Sequence, residues 1–391
     1  MGANTATPFM GGGFKTAEPK MVEWAMVVGY RRRKIEVQPQ SRQHPCQGIT
    51  MERFNPSARL PRLLSQEGLL GAPSLFMIDV GVSGGPHPLW AAFSDARVIG
   101  IDPNAEEIAR LTAQAGPNET YLVGFMGCPG FQQPFPPPAS PLPEGVYACT
   151  PFLRSSALEA NIQMGAEWAC QIQQGTYRAD WPETPLSLDQ LVRNHLDRVD
   201  FVKIDTDGAD YEVLLGGVGM LRQSRVLAVQ VEAQLNGPVH PDANLFGTVD
   251  RFMRAQGFAL FDMDIWRYSR AALPSAFLFD APVQTAGGQV LWCDMLYLRD
   301  LGAPDSQEHG EWRQEDLLRL CAMFEAFGLP DCAAEVLITH GEGTGMIAKD
   351  LAVRLLDHLV PQVQGQTLSH AQFLDHWRQQ VAQRRFRQCV G

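Results

Sequence analysis

The 391-residue chain has no C-x-x-C pair among its eight cysteines, no long apolar run and a shortage of positive charge. Cys46, Cys128, Cys149, Cys170, Cys293, Cys321, Cys332 and Cys389 stand singly. That spacing suits reduced thiols and argues against a zinc site or a disulfide framework. No apolar stretch approaches the roughly 18 to 20 residues that a membrane span needs, so no membrane partner is expected. The N-terminus has no continuous apolar segment of the secretory type, and "MGANTA" places Ala6 where a myristoylation signal wants Ser or Thr. The expected location is the cytoplasm. Lys plus Arg number 32 against 43 Asp plus Glu, a formal net charge of -11. Such a surface repels phosphate backbones, which argues against nucleic acid as a general partner.

What remains is an ordinary globular composition, 45% hydrophobic and 19% charged. Residues 1–55 carry "GGG", "YRRRK" and little periodicity, and read as a partly ordered leader. From Ser74 onwards apolar runs alternate with helical patterns. "SLFMIDVGVSGG", "ARVIGIDPN" and "ETYLVGFMG" read as strands, and "AEEIARLTAQAG" reads as a helix with a glycine stop. A proline-rich stretch over 127–145 interrupts the pattern as a loop or lid. "PLSLDQLVRNHL" resumes it as a helix with Ser187 as N-cap. "VDFVKID", "RVLAVQVEA", "FALFDMDIW" and "QVLWCDMLYLRDL" are further strands. This alternation predicts an α/β fold over 56–302, a mostly parallel seven-stranded sheet with helices on both faces. Residues 303–391 are amphipathic helical segments without a strand candidate, and predict a small C-terminal helical appendage. It serves either to dock a second copy or a protein partner, or to pack on the main domain.

The first glycine loop carries the chemistry. In "IDVGVSGG", Asp79, Gly81 and Gly85 spell D-x-G-x-x-x-G where the first core strand turns toward its helix. Glycines there let a ligand approach the backbone, beside the free N–H groups of a helix start. The dinucleotide fingerprint needs glycine where Asp79 stands, and an acid there repels a diphosphate. It suits a zwitterionic ligand with an amino group and a sulfonium. Asp102 closes "VIGID", at the spacing where an acid accepts hydrogen bonds from ribose hydroxyls. Together they point to an S-adenosylmethionine site on a Rossmann-like sheet.

"SLDQLVRNHLDRVDFVKIDTDGADYEVLLGG", followed by "VLAVQVEAQL", resembles the motif region of FkbM-type methyltransferases. "FMIDVGVSGG", "GIDPN" and "DMLYLRD" fall where that family has its first glycine loop, second-strand acid and last strand. The resemblance spans roughly 74–300 and implies a class I methyltransferase sheet. It implies that Asp79, Gly81, Ser83 and Gly85 line the cofactor and that Asp102 holds the ribose. Asp205, at the fourth strand's end, would stand beside the methyl group, with Glu232 at the fifth. The sequence departs from the pattern where Asp207 and Asp210 replace glutamates and where Ser83 replaces a common Asn.

Methyl transfer to a hydroxyl needs alignment and a proton acceptor. Asp205, Asp207, Glu232 and His240 are the candidate catalytic groups. The acceptor implied by the family is a small molecule or saccharide. A Mg2+ shared by Asp205 and Glu232 is a second reading of these carboxylates, although further oxygen ligands cannot be placed. Two alternatives stay open. Asp205-Thr206-Asp207 spells the D-x-D of metal-dependent glycosyltransferases, but this leaves the glycine loop unexplained. A degenerate scaffold with a partner-binding tail is the non-enzymatic one. Lys203, inside an apolar strand, is expected to pair with a neighbouring carboxylate.

Overall fold

A computed structural model describes residues 54–131, 185–195, 198–206, 208–236, 240–269, 273, 275–276, 278, 285–303 and 312–383. Outside these residues lie the expectations for almost all of the leader, the remainder of the proline-rich stretch from 132 and Asp207.

Seven strands form one sheet: β1 (Phe76–Val80), β2 (Arg97–Asp102), β3 (Glu119–Val123), β4 (Phe201–Ile204), β5 (Ala228–Gln234), β6 (Ala259–Tyr268) and β7 (Gln289–Leu298). Their order is β3-β2-β1-β4-β5-β7-β6. The pairings β3–β2, β2–β1, β1–β4 and β4–β5 are parallel. β7 runs antiparallel between β5 and β6. The sheet is therefore mixed, not mostly parallel as expected. Apolar alternation has the same period in either strand direction, so "WCDMLYL" reveals a strand but not which way it runs.

The alternation along each strand sorts its side chains onto two faces, both covered. Phe76, Ile78, Val80, Val202, Ile204, Val229 and Val231 face one core. It is closed by α3 (Leu188–His195), α4 (Asp210–Leu215), α5 (Val218–Gln223) and α6 (Phe246–Ala255), which follow α1 (Leu60–Gln66) and α2 (Ala105–Gln114) in the chain. Ser187 caps α3 as expected: its Oγ accepts from the Gln190 N–H at 3.1 Å. Asp189 then accepts from the N–H groups of Gly219 and Met220 and holds the start of α5.

The opposite face carries Leu75, Met77, Val98, Phe201, Ala228 and Leu298. It is covered by α1 and by the C-terminal helices α7 (Gln314–Ala326), α8 (Pro330–Ile338) and α9 (Lys349–Leu359). In α7 every residue from Asp316 to Ala326 is buried. Of the two roles left open for the tail, packing against the sheet is the one that α7 and α8 perform, as part of its core and not as an appendage. A buried ion network fastens α7: Arg319 bonds Asp316 at 2.9 Å, donates to the carbonyls of Ser74 and Leu70, and lies 3.9 Å from Asp200. Among the described helices, only α10 (His370–Ala382) buries no residue. No helix among the described residues is long and apolar enough to cross a membrane.

Candidate active site

The strand order reverses direction between β1 and β4. Chain leaving their carboxyl ends departs toward opposite sides, which opens a crevice where ligands bind in sheets of this kind. Gly81 and Asp205 meet there. Gly81 has φ +78°, and a Cβ built on it would lie 1.8 Å from the Asp205 carbonyl oxygen. The two strand ends are further tied by the Asp205 N–H donating to Val80 O at 3.0 Å.

Asp79 lies one row deeper, fully buried. Its Oδ2 accepts from the His87 N–H at 2.7 Å, which draws the glycine loop back over the strand end. Its Oδ1 accepts no hydrogen bond and lies 3.6 Å from the Lys203 ammonium. Burial pushes the Asp79 carboxyl up from its ordinary range, while Lys203 and the His87 N–H pull it back. Lys203 also donates to Gly81 O at 3.0 Å and pairs with Asp205 at 3.2 Å. The expectation that it pairs with a neighbouring carboxylate is met twice. The His87 ring packs on Phe201 and Phe327, with centroids 5.2 and 6.1 Å away, and so seats the loop against α7's end. Sequence reasoning missed His87, since nothing in "GGPHPL" marks it as a loop anchor.

Asp102 ends β2, nearly buried. It accepts from the Asn104 N–H at 2.7 Å, and the Ser83 N–H acts on the same carboxylate. Burial raises its pKa against these donors. The Ser83 side chain is exposed. Glu107, from the first turn of α2, reaches back to accept from the Gly84 N–H at 2.8 Å. Sequence reasoning missed this brace too. Asn104 takes the cap of α2, accepting from the N–H groups of Glu106 and Glu107.

Asp205 follows β4 with its side chain 46% exposed, more open than the Asp79, Asp102 and Asp210 carboxylates. Asp210 is its opposite, buried at the start of α4. It accepts from the N–H groups of Thr206 and Gly208 at 3.1 and 3.0 Å, and from Asn244 Nδ2 at 3.1 Å. Burial, together with the Asp205 charge, pushes its carboxyl up to about 8. Asn244 also accepts from the Tyr211 N–H, so it joins the loop after β4 to the loop after β5. Asp210 is a loop clamp and serves local structure.

Glu232 lies on β5 two residues before its end, directly opposite Asp294 on β7, which in turn faces Asp264 on β6. Ile204 pairs with Val231, so Asp205 and Glu232 are neighbours one step further along. A row of acids thus crosses the carboxyl edge. Beyond it Trp266 stacks on Trp292 at 5.9 Å and donates its Nε1–H to Asp294 at 2.6 Å. His240 caps its own turn by accepting from the Asp242 N–H at 3.1 Å. Among the described residues no three His, Cys, Asp or Glu side chains converge to hold a metal ion.

Residues 94–260 match the family model described as the methyltransferase FkbM domain. Over that span the chain is similar to the FkbM methyltransferase domain. The span contains Asp102, Asp205, Glu232 and His240, while the glycine loop from Asp79 to Gly85 precedes it. No curated protein matches the chain. Among solved structures, magnesium protoporphyrin IX methyltransferase from Synechocystis PCC 6803 with bound SAM aligns at 11% identity and a TM-score of 0.27, over 61% of this chain and 74% of that one. A SAM-dependent methyltransferase from Aquifex aeolicus aligns at 11% identity and a TM-score of 0.26, over 63% and 91%. Human methyltransferase-like protein 13 in complex with SAH aligns at 13% identity and a TM-score of 0.27, over 69% and 87%.

Proposed function

We propose that this chain transfers the methyl group of S-adenosylmethionine to a hydroxyl oxygen of a sugar or natural-product acceptor, as a cytoplasmic enzyme. One observation carries the reading beyond the domain match. The glycine loop, the β2-end acid Asp102 and the β4-end acid Asp205 converge on one crevice, with Gly81 pressed against Asp205 too closely for any side chain.

The residues at the crevice fit the cofactor. Gly84 and Gly85 have positive φ, and a Cβ on Gly85 would meet nothing within 4 Å, so the loop leaves open space on that side. Asp102 has accepting capacity beyond the Asn104 and Ser83 N–H groups for ribose hydroxyls. Gly81, Ser83 and Gly85 would line the cofactor, with Asp79 behind them holding the loop through His87. When bound, the cofactor supplies an electrophilic methyl group on a sulfonium.

The protein's own part is to orient the acceptor and take its proton. Orientation supplies much of the acceleration. A positioned general base adds roughly 10²- to 10⁴-fold. Asp205 is the first candidate base: it is open to the crevice and held by Lys203 at 3.2 Å. Glu232, its register neighbour, flanks the acceptor, with His240 as a further candidate; Asp207, outside the described residues, is a candidate from the sequence alone. Calorimetric titration with S-adenosylmethionine tests the reading, with saturable binding expected for wild type and none for Asp102→Ala. Absence of binding by wild type, or unchanged binding by the variant, would sink it.

A further inference from the structure

Among the described residues, Lys203 is the one cation paired with Asp79 and Asp205. Its ammonium stands 3.6 Å from the first, 3.2 Å from the second and 3.0 Å from the Gly81 carbonyl between them. Its charge also acts on Asp102, across the loop. The edge that would hold the cofactor is otherwise acidic, with Asp79, Asp102 and Asp205 gathered around the ends of β1, β2 and β4. Such an edge attracts a sulfonium and has no comparable hold on a neutral thioether. S-adenosylmethionine and its product S-adenosylhomocysteine differ by that one positive charge and one methyl group. A strongly negative site would favour the substrate form of the cofactor steeply.

We propose that Lys203 is the charge counterweight of this site: by offsetting Asp79 and Asp205 it sets the ratio of affinities for S-adenosylmethionine and S-adenosylhomocysteine. The inference rests on the cofactor reading above. It concerns a ratio, which separates it from a structural role. Loss of loop order weakens both ligands alike, because they share the adenosyl and amino-acid parts. Removal of a unit charge acts on the shared zwitterionic part of both ligands alike, and in addition on the sulfonium that only one of them carries. At separations on the order of 10 Å and an effective dielectric between about 20 and 80, one unit charge changes an affinity by about 2- to 20-fold.

The test measures the Kd of both ligands by calorimetry on the full chain, for wild type, Lys203→Met, Lys203→Arg and Asp205→Asn. Lys203→Met is expected to raise the ratio of the S-adenosylhomocysteine Kd to the S-adenosylmethionine Kd by about 2- to 20-fold. Lys203→Arg keeps the charge and is expected to leave the ratio near the wild-type value, even if both affinities fall. Asp205→Asn is expected to lower it. A ratio unchanged in Lys203→Met, or shifted equally in Lys203→Arg, overturns the proposal. Should Lys203→Met fail to fold, Asp205→Asn decides alone: the Asp205 side chain is 46% exposed, and a constant ratio there is equally fatal. Wild type binding both ligands while the ratio stays fixed rejects Lys203's role only. Wild type binding neither rejects the cofactor reading and the inference with it.

Discussion

The carbonyl oxygen of Asp205 takes the space in which Gly81 would carry a Cβ, 1.8 Å from that position. This contact joins the glycine loop to the acid of β4 through backbone alone. Gly81→Ala is expected to destabilise the protein by at least about 2 kcal/mol, because the new methyl group meets backbone and φ is +78°. Gly85→Ala, at φ +123° with open space around it, is expected to cost about 1–2 kcal/mol from strain alone. Urea unfolding of the two variants measures the difference; equal losses would contradict the contact.

Asp210 provides a pH dependence. Its folded pKa, raised to about 8, lies above the unfolded value near 4. The stability linked to its protonation is complete below about pH 4 and is lost as pH rises toward about 8. Asp210→Asn removes this dependence. Relative to wild type, the variant is expected to gain at least about 1 kcal/mol between pH 5 and pH 8 in chemical unfolding. A flat difference across that range would contradict the raised pKa.

Asp205→Asn is expected to reduce methyl transfer by roughly 10²-fold or more if Asp205 is the base. The fold should change little, since a half-exposed ion pair contributes about 0–1 kcal/mol. Transfer of label from S-adenosylmethionine in a cell extract, read beside an unfolding curve, checks both halves. Full activity would remove Asp205 from the mechanism.

Arg319→Met is expected to cost about 3–5 kcal/mol, because Asp316 and Asp200 stay buried with part of their compensation gone. Truncation after residue 302 is expected to abolish cooperative unfolding altogether. The truncated chain would expose the sheet face that Leu317, Leu318, Phe324 and Val336 cover. A truncated protein that still melts cooperatively would contradict the shared core.

Much of the fold was legible because burial imposes a period. Every strand from β1 to β7 appears as an apolar run, and the Ser187 cap and the helical pattern of 105–114 are local features of the chain. Strand direction was not legible, nor was the fact that α7 closes one face of the sheet. Both depend on what lies across the core, and an amphipathic helix has the same pattern whichever surface it covers. At the site, Lys203's need for a carboxylate could be read from a cation inside an apolar strand. His87, Glu107 and Asn244 could not, because each acts on a backbone or side-chain group brought near only by folding.

The sequence alone determined the chemistry available at the crevice: a glycine loop behind an acid, a second acid a strand later, and a third beside a half-buried lysine. Its local patterns also determined which segments are strands and helices, since propensity and periodicity act over a few residues. Tertiary structure decided the roles. Asp79 and Asp210 became clamps because their surroundings are dry and aim backbone N–H donors at them, while Asp205 stayed open because its strand ends at the crevice. It also decided that the tail is core. Dielectric surroundings and contacts between distant segments exist only after the chain has folded.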